Sequence, residues 1–395
     1  MSHRFAVLVA AVLPLSPVSS QEVTTLPRED RHLDAHLEMV YRLGDLDGPE
    51  WAQFQALTDA AFAPDGTLFL LDPIEPAVVA VSPEGSLRFR VGGRGEGPGE
   101  YRSPQSVDVL PGGTIVVFDG RKRAFLLYDE EGGFIDEVRP DLTVGVPAAP
   151  MEVAGDGTLL ALPERLVTGR HGAAMLTGAG IRSVGVDLPL LRVPVRNDGA
   201  ATVVTRVPLA PGLEEATSLF RAFVPEASLG VVLGTGVAIL HPGAYRIEIL
   251  SASGSEVTVV QRNLDVRATS AADRSAFLRR MEEESDRVRT LGQGGGGRPG
   301  GGRPDPWFYP TVSPATRIVT NGGGSIWVQR TTADDATAPG PVDLLSADGT
   351  YRGTLPADGR GLPVAFGPGG LVAFFERGEF GVPMTTVLRL PETVR

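Results

Sequence analysis

The sequence predicts an all-β fold, a six-bladed β-propeller of four-stranded antiparallel blades. Three observations carry that expectation. Short apolar runs separated by Gly-, Pro- and Asp-rich turns recur along most of the chain. Their spacing stays near the ~40–50 residues of a propeller blade. The last repeat is one strand short, and an unpaired strand at residues 37–43 precedes the first. If that strand docks on the last blade, the ring closes and no sheet edge is left open to aggregate. Composition agrees: 50 glycines and 33 prolines in 395 residues demand many turns. At 42% hydrophobic and 21% charged residues, the chain can bury a sizeable core.

The first unit pairs residues 59–63 with 67–72 across Pro64-Asp65-Gly66, then 77–81 with 86–91 across Ser82-Pro83-Glu84-Gly85. Such turns are hairpin signals because glycine supplies the positive φ they need. The second unit has strands at 106–110, 114–119, 124–128 and 134–138. The third is expected at 151–154, 158–162, 174–176 and 181–186, and the fourth at 229–233, 237–240, 245–250 and 255–261. The fifth runs through 316–320, 325–329, 342–345 and 350–355, and the sixth through 363–366, 371–375 and 385–390.

Two stretches break the period. Residues 189–227 are expected to add a hairpin from 200–208 and 218–224. Residues 263–314 open with a capping box, Ser270-Ala271-Ala272-Asp273, followed by a helix to about Leu291 and a flexible glycine-rich loop, Gly292 to Arg303. Residues 1–20 have the pattern of a signal peptide: a basic start, an apolar run over 5–15 and small residues before Gln21. The expected layout is therefore signal peptide 1–20, N-terminal tail 21–36 and propeller 37–395, secreted or periplasmic and monomeric. A net charge of −12 argues against nucleic acid. The absence of cysteine removes disulfides and thiolate chemistry.

The stretch Val91-Gly92-Gly93-Arg94-Gly95-Glu96-Gly97-Pro98-Gly99-Glu100-Tyr101, followed by Pro104 and Val107, resembles the inter-blade signature of NHL-type repeats and of secreted bacterial six-bladed propellers. Asp119-Gly120-Arg121-Lys122-Arg123 resembles the Asp…Arg segment of the same repeat. The resemblance covers residues 59–138 well; the later blades keep the turns and lack the crossover. It implies the fold. It does not choose a function, since such families include binding proteins, a metal-dependent lyase and gluconolactonase-like hydrolases.

Candidate ligand contacts are Arg94, Glu96, Glu100, Tyr101, Arg102, Arg121 and Arg123, which would present charge at the mouth of the central channel. The crossover glycines also have a complete backbone explanation as the turn between blades. Asp72 and Asp119 end equivalent strands; such an Asp holds a cation or, more commonly, caps the next turn. Asp59, Asp108, Glu152 and Asp343 are acids on otherwise apolar strands and are the weak candidates for a cation or acid–base site at the funnel. Their plainer role is solvent-facing alternation or hydrogen bonding between blades. Within the blades only His171 and His241 occur, too few for a zinc or copper set. Gly292, Gly294 and Gly297 match a dinucleotide fingerprint by letter, but after a helix instead of a strand. Trp307, Phe308 and Tyr309 are expected to anchor the chain where it re-enters the fifth blade. The expected function is a non-enzymatic scaffold, without a cofactor, binding a protein, peptide or carbohydrate over one face of the ring. The alternative is a hydrolase or lactonase using calcium or another divalent cation.

Overall fold

The computed structural model describes residues 21–45, 47–163, 187–213, 220–234, 236–290, 305–321, 324–378 and 381–395. Six antiparallel blades form a ring. Asp59–Phe62, Leu68–Asp72, Ala77–Val81 and Leu87–Gly92 make the first; Pro104–Val109, Ile115–Asp119, Ala124–Tyr128 and Phe134–Val138 make the second. The innermost strands of blades three to six are Glu152–Val153, Ser228–Val232, Ala315–Thr320 and Ala365–Phe366.

Period-two alternation explains why the ring holds together. Every residue of Leu68–Asp72 is buried, because the strand feeds two cores. Leu68 and Leu70 pack toward blade six, with Ala373 and Val387. Phe69 and Leu71 pack toward blade two, with Val107 and Ile115. The second blade repeats this: Ile115 and Val117 face blade one, while Val116 and Phe118 join Leu159 and Leu191 of blade three. Further clusters fill the remaining interfaces, blades three to four, four to five and five to six. Each fully buried Leu or Phe contributes roughly 1.5–3 kcal/mol, so the ring is stabilised at every joint.

Ring closure follows the sequence expectation. Glu38–Leu43 pairs antiparallel with Pro383–Arg389 as the outer strand of blade six. At the first crossover, Gly92 has φ +90°, and a Cβ there would lie 1.9 Å from the Tyr101 ring. Only glycine lets that buried ring cover the turn.

Two features differ from expectation. The outer strands of blade three are Asp187–Val193 and Thr202–Pro208, so 200–208 belongs to the blade and not to an extra hairpin. Pro189 reads as a strand breaker, yet it lies beyond the part of its strand that pairs with Leu159–Ala161. Its missing N–H therefore breaks no ladder on that side. The expected strands at 174–176 and 181–186 lie outside the described residues, as do the leader, His171, residues 218–219 of the expected strand 218–224 and the glycine-rich loop.

The second difference is the segment read as a tail. Gln21–Leu26 adds a fifth, parallel strand to blade four, beside Val257–Arg262. The chain continues as a belt. Arg28 pairs with Asp265 at 2.7 Å, and the belt brackets Thr354 of blade five: Leu33 N–H donates to the Thr354 carbonyl and Thr354 N–H donates to the Arg31 carbonyl, each at 2.8 Å. Leu33, Ala35 and Leu37 then pack on the cluster between blades five and six. The helix Ala271–Thr290 begins as expected: Ser270 Oγ accepts the Asp273 N–H at 3.1 Å and Asp273 accepts the Ser270 N–H at 2.9 Å. Trp307–Phe308 pairs with Arg221–Ala222, and Tyr309 Oη donates to the Pro211 carbonyl, so the aromatic run is held by the segment ahead of blade four and not by blade five.

Candidate functional site

The inner strands of all six blades enclose a central channel of about 1100 Å³. An inner strand is a sheet edge, so its outward N–H groups need acceptors. Polar side chains of the preceding blade supply them. Asp59 Oδ2 accepts the Val107 N–H at 3.0 Å. Asp108 Oδ1 accepts its neighbour Val109 N–H at 2.8 Å and the carboxyl also takes the Val153 N–H of blade three. Between blades four and five, Ser228 Oγ bonds the Ile318 N–H and C=O, each at 3.1 Å. The acids thus have a structural reason to be there.

That reason leaves them underpaid in charge. Asp59, Asp108 and Glu152 come from three consecutive blades and line one side of the channel. Each is half-buried. Burial pushes the Asp59 carboxyl up to about 6, against hydrogen bonds from Ser106, Val107 and Ala60 and the attraction of Arg317. Burial, then the charge of Asp59, raise Asp108 to about 7. Burial, then Asp108 and Asp59, raise Glu152 to about 8, again opposed by Arg317. Arg317, on the inner strand of blade five, lines the same cavity and among the described residues makes only these longer-range charge interactions. The remaining wall is largely apolar, with Val231, Val319, Ala365, Phe366 and Phe375.

Asp343 does not join the other three acids. It lies on the third strand of blade five, Pro339–Leu345, away from the channel, and is fully buried with Arg262. Arg262 Nη1 reaches Asp343 Oδ2 at 2.6 Å, and Nη2 reaches Asp30 of the belt at 2.5 Å. Arg330 Nη1 contacts both acids, at 2.7 and 3.3 Å, and Thr354 Oγ1 donates to Asp343 at 2.6 Å. Burial would raise Asp30, but Arg330 and Arg262 hold it below its ordinary value.

The crossover residues lie elsewhere. None of the seven lines the channel cavity. Arg94 Nη2 donates to the Ile74 carbonyl at 2.9 Å, and Glu100 accepts the Gly97 N–H at 2.8 Å. Tyr101 is fully buried. Arg102 and Glu96 form an exposed pair at 3.4 Å. Arg121 and Arg123 are exposed, Arg123 with φ +53°. Asp72 and Asp119 perform one identical structural task. Each uses one oxygen to cap the following turn, Ile74 and Glu75 or Arg121 and Lys122. The other oxygen holds the incoming chain, Gln55 and Ala56 or Arg102 and Ser103. His241 pairs with Glu248 at 3.2 Å, which with Arg246 holds that carboxyl down at about 2. Among the described residues no three His, Asp or Glu side chains gather closely enough to hold a metal ion.

Sequence reasoning missed Arg317. Its only signal was a lone cation in Ala315–Thr320, the same kind of signal that singled out the acids.

Residues 52–157 match the family DUF5128, described as a 6-bladed β-propeller. That span contains the first two blades and the crossover between them. Among curated proteins none matches the chain. In structure the chain is similar to a DUF4221 member from Bacteroides vulgatus, at 10% identity and TM-score 0.51, over 92% of this chain and 99% of that one. It is also similar to a Bacteroides fragilis protein named as an expected exported protein, at 12% identity and TM-score 0.49, over 94% and 100%. A third is a gluconolactonase from Xanthomonas campestris, at 14% identity and TM-score 0.47, over 91% and 90%. Identities this low speak to the fold alone.

Proposed function

We propose that this is an exported, non-enzymatic binding protein whose central channel receives a small hydroxyl-rich ligand, in the simplest case a carbohydrate. The observation that supports this most is the two-sided wall: carboxyl groups on blades one to three face an apolar side across about 1100 Å³. A sugar has the matching surfaces, hydroxyls at its edge and C–H groups on its faces, and the cavity is of the size that encloses small molecules. Carboxyls raised to about 6, 7 and 8 are partly protonated near neutrality, so they donate as well as accept hydrogen bonds. The apolar leader over residues 5–15 supports export.

The test is calorimetric titration with maltose, cellobiose and lactose. Binding of one of them, weakened about tenfold (roughly 1.4 kcal/mol) in Asp108→Ala or Glu152→Ala, supports the reading. No binding, or binding indifferent to both substitutions, overturns it. The spread of the three carboxyl pKa values favours one second reading, an acid–base hydrolase, since a site with separated values holds an acid and a base at one pH. New reducing ends released from these sugars would decide for it. A cation-dependent version lacks a convergent ligand set among the described residues.

A further inference from the structure

We infer that filling the channel is coupled to proton uptake by its acidic wall, so that the ligand is captured at mildly acid pH and released as pH rises. The inference rests on the channel being the binding site. It follows from which groups face one another. Blade one contributes Asp59, blade two Asp108 and blade three Glu152. Blade five contributes Arg317, and the C-terminal Arg395 lines the channel while its Nε donates to the Leu390 carbonyl at 2.9 Å. The lining from blades four and six, including Val231, Leu233, Ala365 and Phe366, carries no charge.

The three acids are half-buried, and channel water supplies the rest of their solvation. A ligand large enough to occupy this space displaces that water. An uncharged ligand returns hydrogen bonds but no positive charge, and the lining sets two cations, Arg317 and Arg395, against three acids, with Arg395 already donating to the Leu390 carbonyl. Removing water penalises the ionised carboxyls more than the neutral ones. Folded free protein already holds these groups at about 6, 7 and 8, so occupancy raises them further and draws protons in. By linkage, affinity is constant below about pH 6 and declines above it. A cationic ligand would do the reverse and expel protons.

The experiment titrates the full chain with maltose, cellobiose and lactose at pH 7 in phosphate and again in Tris, whose ionisation enthalpies differ. The difference in observed heat gives the protons exchanged. The expected result is net uptake, with the dissociation constant rising about tenfold between pH 6 and pH 8.5. Asp108→Asn and Glu152→Gln are expected to flatten that dependence. Binding with no exchange, or with proton release, overturns the inference and leaves the binding reading standing. No binding of any of the three sugars at any pH overturns both. If a substituted protein fails to fold, the two-buffer comparison on the unaltered chain still decides.

Discussion

Asp343 and Glu152 look alike in the sequence, each an acid on a strand of otherwise apolar character. Their surroundings are opposite. Asp343 is the more deeply buried, yet Arg262, Arg330 and Thr354 all bond it. Glu152 is only half-buried and lines the channel, yet the charges acting on it are two more acids and, opposing them, Arg317. Burial is the largest cause of the upward push on Glu152 and its two acidic neighbours add to it, whereas Asp343 is surrounded by donors. The paired set clamps the N-terminal belt onto blades four and five. The unpaired set faces the central channel.

The largest effect should come from breaking the paired set. Asp343→Leu leaves Arg262, whose side chain is fully buried, without its main partner. Removing one member of a buried pair typically costs about 3–5 kcal/mol. Urea denaturation at pH 7.5 should show that loss, whereas Asp108→Leu should cost less, because the loss of its hydrogen bonds to Val109 and Val153 is offset by removal of a charge held beside Asp59. Equal destabilisation by the two substitutions would erase the distinction between the sets.

A smaller effect concerns pH. The channel acids have ordinary values of 3.8 and 4.5 and folded values of about 6, 7 and 8. The native state therefore binds more protons than the unfolded chain across that window. Stability is fully present below about pH 4 and falls as pH rises through 6, 7 and 8. Carboxyls held below their ordinary values, such as Asp30 and Glu248, act only at more acid pH and do not mask the slope. Because channel water screens the acids, the loss between pH 5 and pH 8.5 should be on the order of 1–3 kcal/mol. The double substitution Asp108→Asn with Glu152→Gln should remove most of it. A stability that rises over the same window would contradict unpaired channel acids.

What the sequence could reveal follows from how local each cause is. Hairpins such as Ala63 to Thr67 are set by a few turn residues, with Gly66 at φ +89°, and were legible. So was the missing sixth-blade strand, because a ring has to close. The belt was not: Gln21–Leu26 pairs with a strand more than 230 residues away, and nothing near it signals parallel pairing. Blade three was misread because a proline inside Asp187–Val193 looks like a boundary until its partner is known. Among the acids, three of four candidates converge on the channel. Alternation alone could not separate Asp343 from them, but the expected strand order could have, since it puts 342–345 third in its blade and the other three acids on first strands.

The smallest effect belongs to the crossover, and it sharpens the comparison from outside both sets. Arg102 and Glu96 are 42% and 75% exposed and 3.4 Å apart, a geometry worth less than about 0.5 kcal/mol. Thermal melts of Glu96→Gln and Arg102→Gln should therefore overlay the parent curve. The same variants carry a second readout. If the ligand sits in the channel, sugar binding is unchanged, because neither residue lines that cavity. If either substitution weakens binding severalfold without moving the melt, the ligand rests on the crossover face of the ring, and the carboxyls of blades one to three are left with only their hydrogen bonds between inner strands.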